Sequence, residues 1–192
     1  MKTARSFLSL VFCLCVAACA YSPQQITVDP TVDTTGERYG NSLAVQVLVE
    51  DRRENKVLGT RGGAYPETST ITIGNSLTDA IARSAEATLA AQGFSVNSQK
   101  PAQLEMKILV DELVYAKVEG SMTGEVNLKS VLSVELSAAG ETYTGRYQTS
   151  SQRQLIVTAG EKKNTQLINE ILSQTLQRLF ADPKVKAFAS NI

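Results

Sequence analysis

The chain has 192 residues, 19 Lys and Arg against 19 Asp and Glu, and neither histidine nor tryptophan. This balance offers no overall basic character for nucleic acid or anionic head groups. The missing histidine rules out Ser-His-Asp and Cys-His catalysis and the common His-containing zinc sites, leaving only carboxylate, lysine or tyrosine chemistry.

At the N-terminus, Lys2 and Arg5 precede an apolar run from Phe7 to Ala18 that closes on Val16-Ala17-Ala18-Cys19. A run of about a dozen residues fits a secretory core and falls well short of the roughly 20 needed to span a bilayer as a helix. Residues 1–18 therefore read as a removable signal peptide. Small residues directly before a cysteine have the layout of a bacterial lipoprotein signal, where a peptidase cuts and the thiol receives lipid. Val16, Ala17 and Ala18 are the signal-recognition residues in this reading, and Cys19 is the lipid attachment point. An ordinary cleaved signal is the rival, since Ala-Ala-Cys-Ala also offers small residues. The position of Cys19 and the Pro-containing polar tract after it favour lipidation. Lys2 and Arg5 leave with the signal, so 17 basic face 19 acidic residues and the mature charge is −2. Cys13 and Cys15 leave too, and with Cys19 as a thioether no disulfide framework remains.

Residues 19–41, with Pro23, Pro30 and Gly36 and few large apolar side chains, read as the lipidated cysteine and a flexible tether, extending to about 70 Å at most. An alternative is that part of it, Gln25 to Val28, pairs as an edge strand. Residues 42–192 read as a single globular domain.

In that domain Leu43, Val45, Val47 and Val49 alternate with Ala44, Gln46, Leu48 and Glu50, the period of a strand. Asp51-Arg52-Arg53 follows, with Asp51 and Arg53 placed for an ion pair. Gly59-Thr60-Arg61-Gly62-Gly63 lacks the lysine and Ser/Thr spacing of a phosphate loop and reads as a turn. A short strand at Thr70 to Ile73 precedes a helix over about Leu77 to Gln92. Ser76 caps that helix, Asp79 lies in its first turn, and Gly93-Phe94 closes it. Leu104, Met106, Ile108 and Val110 give the next strand an apolar face, an alternation expected to continue through Val114, Ala116 and Val118. Val126, Leu128, Leu132, Val134 and Leu136 mark a third strand. Thr142 to Ser151, interrupted by Gly145, marks an edge strand. Leu167, Ile168, Ile171, Leu172, Leu176, Leu179 and Phe180 form the core stripe of a last helix, which Asp182-Pro183 stops. The expected fold class is α/β (α+β), a two-layer sandwich. Its mixed four-stranded sheet carries two helices on one face, in the order β-α-β-β-β-α, with the first and second strands parallel and the rest an antiparallel meander.

The signal, the spacer, the strand ending near Asp51-Arg52-Arg53, the Leu89-Ala-Ala-Gln-Gly93-Phe94-Ser-Val96 helix exit, and the Leu-rich last helix closing in Asp182 with Phe188 beyond resemble the YajG family of bacterial lipoproteins. The resemblance implies a triacylated Cys19, which anchors far more firmly than one chain can. Ala20, in place of an aspartate after the cysteine, implies the periplasmic face of the outer membrane. The family has no established activity, so no catalytic residues carry over.

The expected role is therefore a non-catalytic envelope module that binds a protein or cell-wall partner, with no cofactor, metal or nucleic acid. Leu109, Leu113 and Tyr115, read as outward positions of the second long strand, make a candidate partner patch, so Leu113→Lys is expected to leave folding intact. A small-ligand or lipid carrier would instead need an apolar cavity between sheet and helices. A carboxylate hydrolase would need Glu105, Asp111 and Glu112 paired across a cleft.

Overall fold

The computed structural model describes residues 22–34, 38–63, 65–96, 98–118, 124–155 and 159–192. The signal over 1–18, its Val16-Ala17-Ala18 end and Cys19 lie outside these residues. Among the described residues the order is β1 (Gln24–Ile26), β2 (Ala44–Asp51), β3 (Gly59–Thr60), β4 (Thr70–Ile73), α1 (Leu77–Ala91), β5 (Ser95–Val96), β6 (Leu104–Val118), β7 (Glu125–Ala138), β8 (Glu141–Gln154), α2 (Glu161–Ala181) and α3 (Pro183–Ser190). The strands form one eight-stranded mixed sheet. The expected four strands, two helices and β-α-β-β-β-α order are thus corrected. Of the four short strands, Thr70–Ile73 is where a strand was expected and Gln24–Ile26 overlaps the alternative edge strand, whereas β3 and β5, of two residues each, are too short for a period-two pattern to register.

The pairing of the long strands follows from their connections. β2 and β6, joined through α1, are parallel from Val45↔Leu104 to Asp51↔Val110. β6, β7 and β8, joined by short turns, are antiparallel. α1 packs on β2 and β5, and α2 on β7, β8 and β1. One continuous core joins Ile81, Ala85 and Leu89 of α1, Ile168, Leu172 and Leu176 of α2, and Met106, Ile108, Leu132 and Val134 of the sheet.

Local signals explain the helices. Ser76 Oγ accepts the Asp79 N–H at 3.2 Å and starts α1. Gly93, at φ +92, ends it with Phe94 N–H reaching Leu89 O at 3.0 Å, a left-handed close that glycine adopts without strain. Asp182 stops α2 and caps α3, its Oδ1 accepting the Lys184 N–H at 2.8 Å beside Pro183 at the first position.

The expected tether over 19–41 is also corrected, because the described part of it is built into the domain. β1 pairs in parallel with β4 at the sheet edge. Ile26 and Val28 are fully buried, and each such side chain contributes about 1.5–3 kcal/mol. The chain then runs along α2, where three side chains one helical turn apart take its backbone N–H groups. Asn169 Oδ1 accepts from Asp29 at 2.7 Å, Ser173 Oγ from Thr31 at 3.0 Å and Gln177 Oε1 from Asp33 at 2.8 Å. Beyond it, Tyr39 and Gly40 donate their N–H groups to Gln92 O at the end of α1, and the Tyr39 ring meets Phe94 edge-on at 5.4 Å. The polar composition that suggested a flexible spacer instead supplies a strap, held through main-chain groups that any sequence carries.

Candidate functional site

The second edge of β6 is shared between two partners, and the gap between them forms a cleft. β2 pairs with β6 up to Asp51↔Val110, and β3 joins β6 only at Gly59↔Tyr115. Arg52 N–H still reaches Val110 O at 3.0 Å, and Tyr115 N–H reaches Leu58 O at 2.7 Å. Between these bonds the chain over 52–58 loops away. The resulting cavity of about 600 Å3 is lined by residues 52–55 and 57–59 on one side and 111–115 on the other.

A β-bulge sits in the wall of this cleft. The register of β6 on β7 shifts between Val110 and Glu112, leaving Asp111 as the extra residue. Such an insertion flips the faces that follow it. Before the bulge Met106, Ile108 and Val110 face the core; after it Leu113 and Tyr115 do. The expected patch of Leu109, Leu113 and Tyr115 is therefore corrected: their exposures are 2%, 2% and 4%. Leu113 and Tyr115 lie in the core. Leu109 is buried on the helix-free face, next to Glu50 and Ser133 in the strand register. Val114 and Ala116, expected inward, are exposed.

The loop wall is pinned by Asp51 and Arg53. Arg53 Nε and Nη2 bind Asp51 Oδ1 and Oδ2 at 2.9 and 3.0 Å, a two-pronged pair, and Arg53 N–H adds a third bond at 3.2 Å. Lys56 Nζ joins at 2.9 Å. Burial pushes the Asp51 carboxyl up, but the hydrogen bonds from Arg53 and Lys56 outweigh it and hold the pKa at about 2. The carboxylate is then favoured more in the folded than in the unfolded chain, so this stabilisation is full above pH ~4 and disappears as pH falls through about 2. Discounted for partial solvation, it amounts to about 1–2 kcal/mol. Asp51→Asn should flatten the acid limb of a stability-versus-pH curve between pH ~4 and ~2. An unchanged limb in urea melts across that range would show that the pair contributes nothing.

Arg53 is the most deeply buried charged side chain of the cleft wall. Its side chain is 5% exposed, and its Nη1 is buried without a hydrogen-bond partner. A stranded donor of this kind is costly, by about 1–3 kcal/mol, a cost borne beside the two-pronged pair with Asp51. Opposite it, Asp111 and Glu112 are already engaged. Asp111 Oδ2 accepts from Ser133 Oγ at 2.6 Å and lies 3.7 Å from Arg146 Nε. Glu112 pairs with Lys129 at 2.7 Å and Arg146 at 3.9 Å. Glu105 is exposed, six residues before the bulge. These three carboxylates make no acid/base pair across a cleft. Burial raises the Tyr115 pKa against the opposing charge of Arg61, so its phenol stays neutral. Among the described residues no group of three or more His, Cys, Asp or Glu could hold a metal ion. No helix among them is long and apolar enough to cross a membrane.

The cleft residues were partly visible beforehand. Asp51-Arg52-Arg53 stood out as a strand end with an ion pair. Two adjacent acids in the middle of an apolar strand, Asp111-Glu112, were the available signal for the bulge.

Comparison with known proteins places this architecture. Protein XCC0632 from Xanthomonas campestris has a similar structure, with a TM-score of 0.60 at 11% identity over 89% of this chain and 97% of that one. Weaker likenesses are a putative neuraminyllactose-binding hemagglutinin homolog from Helicobacter pylori (TM-score 0.49, 14% identity, 86% and 97% covered) and a minor lipoprotein from Acinetobacter baumannii (0.41, 12%, 81% and 94%). No curated protein is matched by the sequence. A family model described as an uncharacterized lipoprotein matches residues 30–189. That match begins after β1 and runs from β2 through nearly all of α3, and with it the chain belongs to this lipoprotein family, YajG-like in kind.

Proposed function

We propose that the chain is held by lipid on Cys19 at the periplasmic face of the outer membrane and works there as a non-catalytic binding module. The cleft between residues 52–59 and 111–115 is its contact site. The observation that carries the binding role is the open cleft of about 600 Å3 where β6 lies between its two partners, from Asp51↔Val110 to Gly59↔Tyr115, with Arg53 in its wall. Lipoprotein family membership, with the small residues before Cys19, supports the anchor.

The packed interior speaks for surface binding over carriage of a lipid or small ligand. The side chains between sheet and helices, Ile81, Leu89, Ile108, Leu132, Ile168 and Leu176, are all 0–1% exposed, and a carrier needs that space open. The carboxylates a hydrolase would use are tied to Ser133, Lys129 and Arg146, which leaves a hydrolytic reading without a free pair.

Two arms test the proposal in the native envelope. Cys19→Ser should abolish acyl labelling and release the protein from membranes; labelling that survives would refute the anchor. A photo-crosslinking residue at exposed Asn55, on the cleft rim, should capture a defined envelope partner that the same residue at Glu141 does not. Identical capture at both positions would remove the cleft from consideration.

A further inference from the structure

We infer that the end of the domain carrying Tyr65 rests on the membrane as a foot, with the hairpin between β3 and β4 at the lipid head groups. The inference takes Cys19 as the anchored residue, as proposed above. It begins with length. From Cys19 to Gln24, the first residue of β1, the chain spans at most about 17 Å. The head-group layer on one side of a bilayer takes up about 5–7 Å of that. A domain that starts pairing at Gln24 cannot stand off the membrane as the expected 70 Å tether would allow.

The fold then decides which surface lies closest. Arg61 Nη1 donates to Ser22 O at 3.1 Å, which ties the β3–β4 hairpin to a residue only three positions from Cys19. Arg61 N–H closes the hairpin on Ser69 O at 2.8 Å, and Ser69 Oγ donates to Gly62 O at 2.9 Å. Between these bonds stands Tyr65, 61% exposed and more so than Leu48, Val114 or Ile192, the other exposed large apolar side chains among the described residues. Tyrosine is enriched at membrane interfaces because its ring sits among head groups while its hydroxyl stays wet.

Cations outnumber acids in the surroundings, where Glu67 and Glu161 are the exposed carboxylates. Lys117 Nζ donates to Arg61 O at 3.4 Å. Lys162 and Lys163 are exposed in the first turn of α2, where Asn164 meets the Gln24 amide at 2.7 Å. A mature chain of −2 charge therefore still presents Arg61, Lys117, Lys162 and Lys163 around its point of attachment, against the acids Glu67 and Glu161. Each such cation near an anionic leaflet is favourable by about 1 kcal/mol. The foot leaves the β7–β8 turn, which lies beyond the Ser137↔Glu105 pair at the other end of β6 from Lys117, away from the bilayer.

The absence of tryptophan makes the test direct. The lipidated full chain carrying Tyr65→Trp is reconstituted in phosphatidylcholine vesicles containing phosphatidylglycerol, with lipids brominated near the head group. Flotation reads anchoring, and tryptophan emission reads contact. The expected result is flotation, blue-shifted emission and roughly twofold quenching at position 65, with solvent-like emission and no quenching for Glu141→Trp. Adding Lys162→Glu and Lys163→Glu should weaken the quenching without unfolding the domain, because carboxylates in a first turn suit the helix dipole. Flotation with solvent-like emission at position 65 overturns the foot and leaves the anchor standing. A chain with Cys19 intact that fails to float overturns both.

Discussion

Leu113→Lys is expected to prevent the domain from folding. Leu113 lies in the core at 2% exposure, opposite Ser130 of β7. An ammonium placed there has no counter-charge on the neighbouring strand, and its burial costs more than about 4 kcal/mol, most of the 5–15 kcal/mol that holds a typical domain. Val114→Lys, one residue along and on the other face at 36% exposure, should change stability by less than about 0.5 kcal/mol. Circular dichroism melts of the two variants distinguish the bulged strand from a regular one. With unbroken alternation the ranking would invert, and a folded Leu113→Lys beside an unfolded Val114→Lys would show that Asp111 is not an extra residue.

The second large effect belongs to Gly59→Ala. A Cβ at Gly59 would lie 1.7 Å from Tyr115 O, a main-chain atom with no freedom to swing aside. β3 would have to leave β6, taking the Leu58–Tyr115 hydrogen bond with it. A cost of about 3 kcal/mol or more follows from such overpacking. For a domain of this size it lowers the melting temperature by about 6–12 °C. Gly160→Ala, with nothing within 4 Å of its Cβ, should cost no more than the roughly 1 kcal/mol of a poorer helix cap. Equal melting points for the two variants would mean that β3 does not approach β6 so closely.

What could be read from the sequence was what repeats. The periods of β2, β6 before the bulge, β7, α1 and α2 are long enough for burial to impose a pattern, and the caps at Ser76, Gly93 and Asp182 sit where local hydrogen bonding demands. The resemblance to a lipoprotein family came from the same order and spacing, and the family match agrees with it. What escaped lacks a period. One inserted residue at Asp111 reversed the facing of Leu113 and Tyr115, since a strand pattern carries no memory across a phase slip. The strap escaped because Thr27 to Asp33 bind through backbone groups to Asn169, Ser173 and Gln177, and a contact 140 residues away leaves no trace in local composition. The cleft is a compound of both, a bulge facing a gap between two partners of one strand.

The strap also fixes a sequence of events. Its hydrogen bonds to α2 span 140 to 144 residues, whereas the β7–β8 turn closes within a few. Contacts of such separation form late, after loop-closure entropy has been met by nearer ones. The beginning of the chain can be seated only once its final long helix has been made and folded. Until then the main-chain N–H groups of Asp29, Thr31 and Asp33 lack the acceptors that seat them in the finished domain.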